Sequence, residues 1–198
     1  MKNITLFFLL LFISTNAIAG ETILSFSKSA YESMVALDAK EAEFSKQAVE
    51  KFKKYFDFDG FNLRAMRDVK KKVTPKQYAI LSEAFQEFFF LNFELKSQRL
   101  LRKKIAKPTY AVKEVKTDFT IVKISGETDE GPMNIDFYVH SITDDAYGMI
   151  DLAVDGVLLS RNYRSSFNRI YRDHGFKELL KRLEDQKKKL LTKKNLNK

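Results

Sequence analysis

The hydrophobic period of this 198-residue chain changes twice, and the order helical, alternating, helical limits the folds open to it. From Thr22 to about Phe56, residues Phe26, Tyr31, Met34, Val35, Phe44, Ala48, Val49 and Phe52 recur at helical spacing among Lys and Glu, which predicts two helices with a break near Leu37-Asp38. After Lys107-Pro108 the pattern alternates through Thr109 to Glu114, Phe119 to Ile124, Asn134 to Ser141 and Tyr147 to Val154. Gly126 to Pro132 and Thr143 to Tyr147 are short enough for hairpin loops, so four antiparallel strands are expected. From Ser160 the helical period returns with Tyr163, Phe167, Ile170 and Tyr171, stops at His174-Gly175, and resumes at Phe176, Leu179, Leu180 and Leu183. Helices, strands and helices in separate runs predict an α+β domain, an antiparallel sheet of about four strands packed against several helices.

One helix of that set is unusual. Thr74-Pro75-Lys76-Gln77 supplies a hydroxyl N-cap, a proline at the first helical position and the glutamine of a capping box. The helix it opens is expected to run to about Ile105, roughly 45 Å at 1.5 Å per residue. Before it, Phe56-Asp57-Phe58-Asp59-Gly60-Phe61 reads as a turn leading into a short helix over Asn62 to Val69. Along the long helix Tyr78, Leu81, Phe85, Phe88, Phe89, Leu91 and Phe93 cover one face at the start and nearly the whole circumference around Phe88-Phe89-Phe90. A helix apolar on all sides is buried on several of them. Either these rings make one large aromatic core, or the helix and the sheet enclose an apolar cavity that takes a ligand.

The first residues stand apart from this pattern. Lys2, the apolar run Leu6 to Ile13 and Ala17-Ile18-Ala19 before Gly20 read as a secretory leader over 1–19. A single domain is then expected over 20–190, with a basic disordered tail over 191–198. The apolar run is too short to span a bilayer. Cysteine is absent, which removes disulfides, thiol nucleophiles and thiolate metal sites. The formal charge is +9, with basic clusters at Lys70-Lys71-Lys72, at Arg99, Arg102, Lys103, Lys104 and Lys107, and at Lys187 to Lys189. These read as solvated faces or as attraction to anionic lipid or acidic partners; nucleic acid is not expected as a partner of an exported chain.

Catalytic motifs are missing from the sequence: there is no G-x-S-x-G, no H-E-x-x-H and no glycine-rich phosphate loop. His140 ends a predicted strand and His174 sits beside a helix-ending glycine; neither has a second ligand at metal spacing, so both read as structural. Asp136 and Asp151 lie in strands between apolar neighbours. A strand carboxylate facing a pocket can act as a general base, but alternation places each opposite its apolar neighbours and favours an ion pair with Lys or Arg. No enzyme activity and no metal or cofactor are expected. The competing readings are a pocket enzyme using one of these aspartates as base, and a basic adaptor of the envelope.

The segments Tyr55-Phe56-Asp57-Phe58, Val73-Thr74-Pro75-Lys76-Gln77, Ile135-Asp136-Phe137, Asp151-Leu152-Ala153-Val154-Asp155-Gly156-Val157 and Asn162-Tyr163-Arg164-Ser165-Ser166-Phe167 resemble, in order and spacing, the MlaC or toluene-tolerance family of periplasmic phospholipid-binding proteins. The resemblance covers roughly residues 25 to 190. It implies a periplasmic carrier with a phospholipid as cargo, moving lipid between the inner and outer membranes. The implied partners are an inner-membrane ABC transporter complex with MCE-type subunits and an outer-membrane lipoprotein–porin complex. It also implies acyl chains in a cavity between sheet and helices, with the headgroup at its mouth. By matching position it points to Phe93 on the long helix and Val157 after the last long strand. Alternation and helical spacing add Phe89, Phe137, Val139, Leu152, Val154, Tyr163 and Phe167 as lipid-binding walls. Two departures from the family pattern concern the rim: Ala146-Tyr147-Gly148 stands where a tryptophan is usual, and Arg64-Ala65-Met66-Arg67-Asp68 replaces a glycine and aromatics before the Thr-Pro cap.

Overall fold

A computed structural model of the chain describes residues 22–36, 44–102, 104–143 and 146–196. The leader over 1–19 and the helix break near Leu37-Asp38 lie outside the described residues. In chain order the elements are α1 (residues 22–35), α2 (Phe44–Tyr55), α3 (Phe58–Ala65), α4 (Arg67–Lys70), α5 (Pro75–Arg102), β1 (Ala106–Val115), β2 (Thr120–Thr128), β3 (Gly131–Thr143), β4 (Ala146–Val154), β5 (Val157–Leu158) and α6 (Leu159–Leu196).

The sheet is an antiparallel meander in the order β1-β2-β3-β4-β5. It has one strand more than the alternation predicts. Asp155 and Gly156 both take positive φ, 47° and 80°, and so turn the chain back within two residues, pairing Val157 with Val154 and Leu158 with Ala153. Asp-Gly between apolar residues is the sequence signal for such a hairpin. Cross-strand partners share a face, and the register puts Val122, Ile124, Ile135, Phe137, Val139, Met149, Leu152 and Val154 together on the inner face. Asp136, Tyr138 and Asp151 fall on the outer face. A bulge opposite Tyr138 and Val139 keeps Met149 facing inward together with Leu152, although two residues, Ile150 and Asp151, separate them.

The capping box opens α5 as expected. The Thr74 amide donates to Gln77 Oε1 at 3.0 Å and the Gln77 amide to Thr74 Oγ1 at 3.2 Å. The turn expected around Phe56 to Phe61 is instead a helix start, because Asp57 accepts a hydrogen bond from the Gly60 amide (3.1 Å) and N-caps α3. Just before it, Phe56 and Asp57 lie along the outer edge of β4, where the Asp57 amide donates to the Met149 carbonyl. This seats the α2–α3 junction on the sheet.

α6 breaks at Gly175, whose φ of 77° and ψ of −172° are non-helical. Its second half runs parallel to α5, since Lys187 pairs with Glu87 and Lys194 with Glu94. The disordered tail expected from residue 191 is corrected here: the helix continues to Leu196. Lys187, Leu190 and Lys194 share the helix face turned to α5, and lysines in the last turn suit the helix dipole.

Candidate functional site

Between the sheet and the helices lies an apolar interior rich in aromatic rings. Phe89 on α5 is its hub, with ring centroids 4.9 Å from Phe61, 5.4 Å from Phe56 and 5.6 Å from Phe58. Phe93 stacks on Phe52 at 4.3 Å, and Phe52 on Phe56 at 4.5 Å. Tyr163 and Phe167 reach in from α6, each 4.9 Å from Phe85. The structure brings Phe89, Phe93, Tyr163 and Phe167, all expected from the sequence as walls, into one cluster of rings with Phe52, Phe56, Phe58 and Phe61, which sequence reasoning passed over. The signal for these was present, in the helical spacing of Phe52 and Phe56 and in the capping position of Asp57.

Opposite the rings stands the inner face of the sheet. Phe137 and Val139 are buried in the same cluster, and Leu152 is half-buried against it. Leu152 pairs with Phe137, and Val154 with Ile135. At the β4–β5 end the apolar surface comes out to solvent, with Val154 39% and Val157 58% exposed. Of the nine residues expected to line a cavity, seven therefore border the interior and two form an apolar rim. The interior where a cavity was expected is occupied by rings in mutual contact.

Polar groups are kept to the margins of this interior. Burial pushes the Tyr163 phenol above its ordinary range, opposed by a hydrogen bond with Asn92. Tyr110 is pushed up to about 12, first by burial and then by Glu32 and Tyr31 nearby. Both phenols are thus uncharged at neutral pH. The strand aspartates are engaged in ion pairs on the outer face. Asp136 Oδ2 lies 2.6 Å from Lys113 Nζ. Asp151, fully buried, accepts from Arg64 Nε (3.1 Å) and from the amides of Leu152 (3.0 Å) and Ser160 (3.1 Å). The Arg64 guanidinium also lies 5.0 Å from the centroid of Phe119 and 5.3 Å from that of Tyr138. Arg64 thus ties α3 to β3, to β4 and to the residue before β2, and Asp151 in turn holds the start of α6.

His140 is the one histidine set against a carboxylate. Its Nε2 lies 2.8 Å from Asp57 Oδ2, and the two meet over Gly148, where an added Cβ would come within 3.0 Å of Asp57 Cβ. Two clefts open at this end of the molecule, one of about 240 Å³ beside Lys53, Lys54 and Tyr147, the other of about 400 Å³ beside Thr117, Phe119 and Ser141. Both are lined largely by polar groups and lie at the opposite end of the sheet from the apolar rim. Among the described residues no group of His, Asp or Glu is gathered in a way that holds a metal ion, and no helix is long and apolar enough to cross a membrane.

A meandering sheet with one uncharged, largely apolar face, closed by helices over an interior rich in aromatic rings, defines the class of α+β protein to which this chain belongs. The sequence matches the MlaC protein family over residues 26–185, and the chain belongs to that family. Its fold is similar to that of a phospholipid-binding protein from Ralstonia solanacearum, whose structure was determined in complex with a phospholipid. The TM-score is 0.68 at 17% sequence identity, covering 85% of this chain and 98% of the other. No curated protein matches the sequence significantly.

Proposed function

We propose that this protein binds a phospholipid and carries it through the periplasm between the inner and outer membranes. Membership of the MlaC family over 26–185 supports this, as does the phospholipid held by the Ralstonia solanacearum protein of the same fold. The observation in this chain that carries the reading is the unbroken apolar surface from rim to interior: Val157 and Val154, then Ile135 and Leu152, then Phe137 and the rings of α5. The inner positions of the paired strands hold no charged residue, which is what an acyl chain requires.

Magnitudes favour entry. Two acyl chains of about 30 methylenes, at about 0.8 kcal/mol each, gain more than about 20 kcal/mol on leaving water. Parting a stacked ring pair forfeits about 0.5–1.5 kcal/mol beyond the area term. Lipid chains that replace the contacts of Phe52, Phe56, Phe89 and Phe93 with their own therefore more than offset the loss. A headgroup at the Val154 and Val157 rim stays in water and needs no dedicated polar pocket.

In this reading the protein receives and delivers lipid through an inner-membrane ABC transporter complex with MCE-type subunits and an outer-membrane lipoprotein–porin complex. Binding rather than catalysis is its task, and the engagement of Asp136 and Asp151 in ion pairs supports that. The test is a phospholipid bearing a photoreactive group at mid-chain. Cross-links should fall on α5 and β4, around Phe93 and Leu152, and Val157→Glu should lower their yield at least tenfold. Cross-links confined to the outer face, or to the clefts beside Lys53 and Ser141, would refute the proposed binding surface.

A further inference from the structure

The net charge of the chain is concentrated on one helix. From Leu159 to Leu196 there are twelve Lys and Arg against four Asp and Glu, which is +8 of the chain's +9. Of the arginines in α6, Arg164, Arg172 and Arg182 sit beside the carboxylates of Asp68, Asp173 and Glu178, while Arg161 and Arg169 are exposed and make no ion pair among the described residues. Lys177, Lys181, Lys188, Lys189 and Lys193 are all exposed and make no ion pair among the described residues.

Their spacing sets their direction. Lys177, Lys181 and Lys188 stand at i, i+4 and i+11, within about 40° of one another around the helix, while Lys189 and Lys193 lie roughly 80–160° further round. The side that packs on α5 is a different one, carrying Leu179, Leu183, Lys187 and Lys194. Complementing the helix dipole explains lysines in the last turn only, because that effect dies away within one turn. Lys177, Lys181 and Lys188 lie well before it.

We propose that this face of α6 docks the protein on an anionic lipid bilayer. Three observations select that partner over an acidic protein. Beyond Gly175 the free charges are lysines, compact and hydrated point charges, whereas the one arginine of that half, Arg182, whose fork suits pairing with an individual carboxylate, is engaged by Glu178. No aromatic residue, the usual anchor of a protein–protein contact, follows Phe176 in this helix. Leu191, 43% exposed, is the large apolar side chain in the stripe, placed to enter the headgroup layer as the lysines approach it. The inference does not depend on the protein's carrying a lipid in its interior.

The experiment is co-sedimentation of the protein, recovered from the periplasm of an expression host, with vesicles of phosphatidylcholine alone or with 30% phosphatidylglycerol. The expected result is binding to the anionic vesicles that falls steeply with salt. At about fivefold per lysine, Lys177→Gln/Lys181→Gln/Lys188→Gln should lose about a hundredfold, and the corresponding glutamate variant more. A control with equal charge change at the exposed Lys51, Lys71 and Lys76 should lose much less. Equal losses in the two sets, equal binding to neutral vesicles, or retention on immobilised poly-glutamate without vesicle binding would each overturn the proposal.

Discussion

Asp151 is fully buried and would be a liability in an apolar protein without its partners. Arg64 and two backbone amides satisfy it. Removing one member of such a pair leaves a buried charge uncompensated. Arg64→Ala should therefore lower the unfolding free energy by about 3 kcal/mol in urea titrations at pH 7; a loss under about 1 kcal/mol would show the pair to be dispensable. Asp68 supplies a pH dependence. Its carboxyl is held below the ordinary carboxylate range, first by the hydrogen bond from Asn168 and then by Arg67 and Arg164. A depressed carboxylate stabilises the fold above its unfolded pKa, and that stabilisation is lost as pH falls through the folded value. The stability gap between the native protein and Asp68→Asn should be full above the ordinary carboxylate range and shrink as the pH falls below it. A gap that does not change with pH would contradict this.

Elements show why some of the structure was legible in the sequence and some was not. The Thr74 capping box, the four long strands and the pause at Gly175 were readable because each is set by neighbours in the chain. β5 and the start of α3 were missed although Asp155-Gly156 and Asp57 signalled them, because weight was given to apolar period rather than to turn and cap chemistry. The tail could not be read. Its helix is held by Glu87 and Glu94, about a hundred residues away, and composition carries no trace of that. Gly175 allows a test at this scale, since its φ of 77° and ψ of −172° belong to a region that only glycine occupies readily. Gly175→Ala should destabilise the protein by about 1–3 kcal/mol, or straighten α6 and draw Leu179 and Leu183 off α5. Unchanged stability together with unchanged protection of α5 from hydrogen exchange would contradict the role given to the break.

At the scale of the whole molecule, the candidate site was legible in part. The aromatic excess of α5 announced an apolar interior, and alternation assigned the strand faces correctly even across the β4 bulge. Sequence did not show that the interior would draw in the α2–α3 junction, because Phe56 and Phe58 meet Phe89 only once the junction is laid along β4. The rim at Val154 and Val157 depends in the same way on the β4–β5 hairpin. The central claim is that the apolar surface running inward from that rim holds a phospholipid. The most direct test is native mass spectrometry of the protein purified from an envelope extract, followed by solvent extraction and lipid identification. The account predicts a mass excess of one or two phospholipids that is lost on denaturation. A lipid-free mass that stays unchanged after incubation with phospholipid vesicles would contradict it and leave the rings as an ordinary core.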